Sequence, residues 1–306
     1  MELLIEAAIF AFGLCFGSFL NVCIYRLPRG KSVVVPRSAC PHCKTPIPLY
    51  HNIPILSWLI LRGKCCACKA PISPRYLVVE LLTGILFLTC YLHFGLTLAM
   101  LKCAVLGFLL LGLIFTDAEM KLLPDAMTLP GLALGIAFSL LVPVNDLASR
   151  IVPVLVFPGM SGEPSWRLWS LADSLLGAAV GASFLYGAAA IYLRARGVEG
   201  MGLGDVKLMA MMGSFLGTRL TVLTIFAASL AGSLFGLSTI AVVWMRRRRR
   251  IAARGVTPGE ARRRAWHSAR IVLRYYKMPF GVFLGSMGLL SFFFGNRLLG
   301  WYWKAL

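Results

Sequence analysis

The chain has 306 residues and a formal net charge of +19, yet only 14% of its residues are charged and 58% are hydrophobic. Soluble domains carry about 25% charged residues, so this composition excludes an ordinary water-soluble globule and makes a lipid bilayer the solvent for most of the chain. The basic excess follows the loops of a membrane protein, which makes it a topology signal and leaves no nucleic acid among the expected partners.

Residues 1–24 carry Glu2 and Glu6 where a secretory signal would carry lysine or arginine, and no small-residue cleavage site follows. The segment reads as a retained first span. Runs of the roughly 17–25 residues needed to cross a bilayer fall at 3–24, 78–97, 99–117, 124–143, 172–193, 221–245 and 278–297. A shorter apolar piece at 205–217 brings the number to eight. Nine Lys or Arg residues lie in loop 25–77, one in 118–123, three in 194–207 and twelve in 246–277. The alternate connections and the C-terminus hold only Arg150, Arg167, Arg219, Arg297 and Lys304, with Lys102 at a helix margin. Only eight helices preserve that alternation. The positive-inside rule therefore predicts an all-α integral membrane protein of about eight transmembrane helices, both termini outside.

Three regions follow: a first helix at 1–24, a cytoplasmic loop domain at 25–77, and a membrane core at 78–306 with a basic insert at 246–277. The loop holds eight of the sixteen prolines, which exclude long helices and weaken strand ladders. So small a piece needs a staple. Cys40-Pro-His-Cys43 and Cys65-Cys-Ala-Cys68 supply one, because two CxxC knuckles complete a tetrahedral site of four thiolates for structural zinc. A redox dithiol pair is the competing reading, and Cys66, His42 and His51 compete as ligands. Cys15, Cys23, Cys90 and Cys103 lie on apolar spans as core residues. Trp166 and Trp169, in the outer loop 144–171, suit a membrane interface. The insert, with RRRRR at 246–250, reads as a solvated cytoplasmic segment or as a contact for anionic lipid. No internal repeat is evident.

Only twelve acidic residues exist, and an ionised one inside a membrane helix costs roughly 2.5–3.5 kcal/mol on insertion scales. Glu80, Asp117, Asp125 and Asp205 stand near the cytoplasmic ends of predicted helices. Asp117 ends the third and Asp205 starts the sixth, so topology sets them at one membrane depth. Such a pair can share a proton, one carboxyl activating water while the other polarises a scissile carbonyl. Snorkelling helix-end charge is the plain alternative. Asp205 follows Gly200, Gly202 and Gly204, which admit an extended substrate backbone or a close helix contact.

These residues carry a resemblance. GSFLNVCIYRLP (17–28), the CxxC pairs, SPRYLVVELLTG (73–84), TDAEMKLLPDAMTLP (116–130), GMGLGDVKLMAMMGSFLG (200–217) and MPFGVFLGSMG (278–288) together resemble the bacterial type IV prepilin peptidases. Those enzymes are leader peptidase/N-methyltransferases of the GxGD aspartyl class. The resemblance implies cleavage of prepilin and pseudopilin leaders at the cytoplasmic face of the inner membrane. It also implies methylation of the new N-terminus with S-adenosylmethionine. It assigns catalysis to Asp117 and Asp205, with Asp125 the weaker partner. Asn21, Arg26, Arg75, Tyr76 and Glu80 are the candidates for cofactor binding. Asn21 equally suits a helix–helix hydrogen bond, and Arg26 and Arg75 suit topology anchors more than carboxylate binders. Val282 stands where the family pattern leads one to expect proline. A proton- or cation-coupled transporter using the same acids, and a peptidase without methylation, are the competing functions.

Overall fold

The computed structural model describes residues 1–144, 146–147, 166–197, 200–275 and 278–305. Nine α-helices run through them: α1 Glu2–Arg26, α2 Leu56–Ile60, α3 Arg75–Phe94, α4 Leu98–Met120, α5 Asp125–Ser139, α6 Trp166–Arg196, α7 Leu203–Ala252, α8 Pro258–Tyr275 and α9 Phe280–Ala305. No strand forms among them. The all-helical expectation holds, and six helices (α1, α3, α4, α6, α7 and α9) are long and apolar enough to cross a membrane. The protein is a multi-pass membrane protein.

One of the expected spans differs from the sequence reading. The expected helix 124–143 is the fifteen-residue α5. At 1.5 Å per residue it reaches about 22 Å, short of a hydrocarbon core of about 30 Å. The expected pieces 205–217 and 221–245 are two helical stretches within α7, parted at Gly217, where φ is 76° and ψ 177°. Gly217 sits where Gly177 of α6 crosses. A Cβ on Gly177 would meet the Gly217 Cα at 2.9 Å and the Gly213 carbonyl at 2.3 Å. The helices approach at glycine because no side chain fits between them.

The insert 246–277 also departs from a solvated loop. α7 continues through the arginine tract, since arginine is a good helix former, and α8 packs back on it through Ala261, Ala265 and Ala269, all buried. Most of the expected outer loop 144–171 lies outside the described residues, as do Arg150 and Glu163. Trp166 and Trp169 stand in the first turn of α6.

The core gathers around α4, whose Leu106, Leu110 and Leu113 are at most 1% exposed. Leu20 and Ile24 of α1, Leu208, Met211, Met212 and Phe215 of α7, and Leu284 of α9 join it. Lys102 is buried beside this core at 4% exposure. Thr97 starts α4 by accepting a hydrogen bond from the Met100 N–H at 3.3 Å. Lys121 ends the helix in a left-handed conformation, donating to the Asp117 carbonyl at 2.9 Å. That stop sets Asp117 in the last turn of α4, at the same end of the bundle as the starts of α3, α5, α7 and α9.

Candidate functional site

Asp117 is 5% exposed. The last turn of a helix is electrostatically the wrong end for an anion. Here α9 compensates by directing its positive N-terminus at the carboxyl, the Val282 N–H donating to Asp117 Oδ2 at 3.0 Å. The preceding residue has to be glycine, since a Cβ at 281 would lie 2.9 Å from the same oxygen. Asp205, half-buried, stands in the first turn of α7, where a carboxylate is favoured. The carboxylates of Asp117 and Asp205 repel one another. Segments 88 residues apart in sequence have thus been brought within electrostatic reach at one end of the bundle, as the helix ends predicted.

The glycines before Asp205 divide their roles. A Cβ on Gly200 would strike the Tyr192 ring at 2.5 Å, and one on Gly204 would press on Leu123 at 3.1 Å. Gly202 has only the Gly204 N–H near it, at 3.9 Å, and is exposed. Only this middle glycine leaves open space; the outer two accommodate Tyr192 and Leu123. A Cβ on Gly281 would also meet Leu123, at 3.2 Å, so this one side chain borders both the Gly204 turn before Asp205 and the Gly281 turn beside Asp117. Nothing in its sequence context singled it out.

Asp125, the weaker candidate, is engaged by a lysine. Both its oxygens accept from Lys207 Nζ at 2.8 Å, half exposed to solvent. The ion pair joins the start of α5 to the turn after Asp205. Arg75 pairs with Glu119 in the same manner, at 2.7 and 2.6 Å, linking the start of α3 to the end of α4.

The candidate cofactor residues occupy the same end, and much of their polar capacity is used within the chain. Asn21 Nδ2 donates to the Tyr76 carbonyl at 3.0 Å. Arg26 donates to the carbonyls of Ser32 and Pro36 at 3.0 and 2.7 Å. Glu80 accepts from the Ile55 N–H at 2.8 Å, tying the loop to α3. The Arg75 guanidinium lies 4.6 Å over the Tyr76 ring. Among the described residues, the buried Asn21 Oδ1, Arg75 Nε and His51 Nδ1 lack a hydrogen-bond partner, leaving polar groups for a ligand such as S-adenosylmethionine. A shallow recess of about 170 Å³ opens nearby between Val22, Arg26, Val33, Arg37 and Asn52. Of the five candidates only Arg26 lines it.

In the loop, the sulfurs of Cys40, Cys43, Cys65 and Cys68 all lie within 4.8 Å of one another. The Cys40–Cys68 and Cys43–Cys65 pairs are 3.8 and 3.9 Å apart. Bonds of about 2.3 Å to a tetrahedral zinc demand about 3.8 Å between sulfurs, so the donor set fits that metal. Cys66, His42 and His51 stand outside the cluster. The Thr45 hydroxyl, 3.2 Å from Cys43 Sγ, and the Thr45 main chain stabilise that thiolate, drawing the group down to about 6. The Ala70 main chain favours a thiolate at Cys68, but desolvation and the neighbouring sulfurs outweigh it and push the thiol up to about 11. Crowded sulfurs of this kind call for a cation.

The knuckles also reveal a repeat that the sequence reading missed. Cys40 N–H bonds Thr45 O at 3.0 Å and Cys65 N–H bonds Ala70 O at 2.9 Å; Ile47 N–H bonds Ser38 O at 2.8 Å and Ile72 N–H bonds Gly63 O at 2.7 Å. Bridges Ala39–Pro46 and Lys64–Pro71 match, as do the left-handed Lys44 and Lys69. Every pair is offset by 25 residues. The signal was CPHCKTPI against CCACKAPI, too short to stand out beyond its cysteines.

At the opposite end, the buried Asp146 accepts from the Arg219 N–H at 2.8 Å, and its own N–H donates to the buried Asp173 at 3.0 Å. These acids hold the main chain around the Gly217 break.

Residues 11–94 match the Bacterial Peptidase A24 N-terminal domain and residues 103–237 the Type IV leader peptidase family. A prepilin leader peptidase/N-methyltransferase of Aeromonas hydrophila is 31% identical over 96% of this chain and 92% of its own length. A protein of the same name from Pseudomonas aeruginosa is 32% identical over 94% of the chain and 89% of its own. One from Myxococcus xanthus is 42% identical over 75% of this chain and 61% of its own length. No solved structure matches the chain. With both domain models matched and relatives of that name aligned along nearly its whole length, the chain belongs to the type IV leader peptidase family.

Proposed function

We propose that this protein cleaves the leader peptides of prepilins and pseudopilins at the cytoplasmic face of the inner membrane and methylates the exposed N-terminus. The observation that supports the reading is that Asp117 and Asp205 lie within electrostatic reach of one another at one end of the helical bundle. Like charges so close favour a state in which the pair holds a single proton. The ionised carboxyl takes a proton from water as its oxygen attacks the scissile carbonyl. The protonated one donates to the carbonyl oxygen and then, through the pair, to the departing amide nitrogen. The leader leaves as a carboxylate and the mature chain as a new amine. The open surface at Gly202 admits the extended substrate, and the Val282 N–H holds Asp117 in place.

S-adenosylmethionine, when bound, supplies the methyl group. Asn21, Arg75 and Tyr76 are the residues we assign to it, supported by the partnerless Asn21 Oδ1 and Arg75 Nε. Arg26 and Glu80 position the loop around that place. We further assign structural zinc to Cys40, Cys43, Cys65 and Cys68, with 25–77 as the stapled cytoplasmic domain between the first helix, 1–24, and the peptidase core, 78–306. The eight-helix count completes the orientation, with α5 and the part of α7 before Gly217 as short membrane helices and both termini outside. Family membership gives no support to the transporter reading.

The test is co-expression with a prepilin and mass analysis of its product. Loss of the leader with a methylated N-terminus is the expected outcome. Cleavage without methylation favours the peptidase-only reading. Undiminished cleavage by both Asp117→Asn and Asp205→Asn proteins refutes the dyad.

A further inference from the structure

Cys15, Cys23, Cys90 and Cys103 lie outside loop 25–77, and the fold brings two of them together. Cys90 on α3 and Cys103 on α4 are free thiols, 0% and 2% exposed, and their sulfurs touch at 2.7 Å. The hairpin's register dictates the meeting. α3 ends at Phe94 and α4 begins at Leu98, so residues 90 and 103 stand nearly equidistant from the turn and face one another across antiparallel helices. Neither belongs to the zinc cluster or to the aspartate site. Cys103 is about 21 Å along α4 from Asp117, at 1.5 Å per residue.

The charge pattern that sets the aspartates at the cytoplasmic end sets the 95–97 turn at the extracytoplasmic one. Thiols on that side meet an oxidising compartment, whereas the cysteines of loop 25–77 do not. We propose that Cys90 and Cys103 form a disulfide that staples the α3–α4 hairpin, an inference that rests on the orientation given above. The co-reactant is a disulfide-bearing thiol oxidant of the extracytoplasmic side. One cysteine, as thiolate, attacks an oxidant sulfur, forming a mixed disulfide and releasing the oxidant's other sulfur as thiolate. The second cysteine, deprotonated, attacks the mixed disulfide and closes the Cys90–Cys103 bond. The oxidant leaves as a dithiol, having gained the two electrons and two protons. Access is available during insertion, because α9 is synthesised last. In the finished fold its Phe292 and Phe293 pack on Phe94 and His93, with ring centroids 6.1 and 5.9 Å apart, and the buried bond is then shielded from reductant.

The test uses the full chain, made in cells that retain extracytoplasmic thiol oxidation. Thiols are blocked at lysis; the protein is then unfolded with a chelator, alkylated without reductant and mapped by mass spectrometry. Label on the other seven of the nine cysteines, with Cys90 and Cys103 in linked peptides that separate on reduction, is the expected result. In parallel, Leu96→Cys in a Cys15→Ser background is probed in spheroplasts with a membrane-impermeant maleimide. A labelled turn together with alkylated Cys90 and Cys103 overturns the disulfide and leaves the orientation standing. A turn labelled only after permeabilisation overturns the orientation, and the disulfide with it. Cys90→Ser is expected to lower the thermal midpoint of oxidised protein to that of the reduced wild type; an unchanged midpoint counts against the staple.

Discussion

The Val282 N–H donates to Asp117 Oδ2 at 3.0 Å from the first turn of α9. Position 282 is where the family pattern led us to expect proline, which has no N–H to give. In this chain the last membrane helix therefore holds the Asp117 carboxyl, which we assign to catalysis, by a main-chain bond. Proline fits the first turn of a helix, so Val282→Pro removes the donor while sparing the fold. Hydrogen bonds to charged groups contribute roughly 1.5–3 kcal/mol. Leader cleavage by the variant is expected to fall by about tenfold or more, with unchanged membrane abundance, in a single-turnover assay.

Neutralising either aspartate removes one half of the proton relay. Asp117→Asn and Asp205→Asn are each expected to lower cleavage by at least about a hundredfold, within the range for loss of general acid–base catalysis. The double variant is expected to be no worse than either single one, because the two groups act as a unit. Quantitative immunoblotting of uncleaved prepilin checks both statements.

Asp125 and Lys207 are close to the site but outside it. A half-exposed ion pair contributes only about 0.2–1 kcal/mol, so Asp125→Asn and Lys207→Met are each expected to change cleavage no more than a few-fold. A double-mutant cycle is expected to show coupling that weakens as salt rises. A loss at Asp125 as deep as that at Asp117 is the outcome that shifts the dyad to Asp125.

Removing the staple metal addresses the loop. Replacing Cys40 and Cys65 with serine takes one thiolate from each knuckle, and bound zinc, expected at about one per chain by elemental analysis, is lost. Because zinc binding displaces protons from thiols, affinity falls as pH falls, so the wild type is expected to release zinc progressively on acidification and to regain it on neutralisation. Limited proteolysis within 25–77 is expected to accelerate as the metal leaves.

Gly217→Ala tests the break in α7. The substitution forces a side chain into a left-handed backbone, with its Cβ 2.8 Å from Asp146 Oδ2. Strain of this kind costs about 1–3 kcal/mol. A lower thermal midpoint in detergent is expected, with the cleavage rate of the surviving folded protein little changed, since the break lies about 20 Å along the helix from Asp205.

Apolar runs, alternating basic loops and the two CxxC knuckles were legible because each is a local pattern with a direct physical meaning: span length, the cost of moving charge across lipid, and four sulfurs on two tight turns. The aspartates were legible for a related reason. A carboxyl at a membrane helix is rare, and helix ends fix depth. The roles of Leu123, Gly281 and the Val282 N–H were not, because each depends on a contact between segments distant in sequence. The 25-residue knuckle repeat escaped because main-chain bonds define it more than side chains do.

By itself the sequence determined the all-helical membrane class and the clustered cysteines, and it set Asp117 and Asp205 at helix ends, all of which follow from hydropathy, charge and spacing along the chain. Only the tertiary structure decided that Asp125 belongs to Lys207, that α7 runs on through the arginine tract, and that Cys90 meets Cys103. Those outcomes rest on how helices turn about their own axes and pack. Rotation and crossing are fixed by side-chain fit across the bundle, which no local pattern encodes.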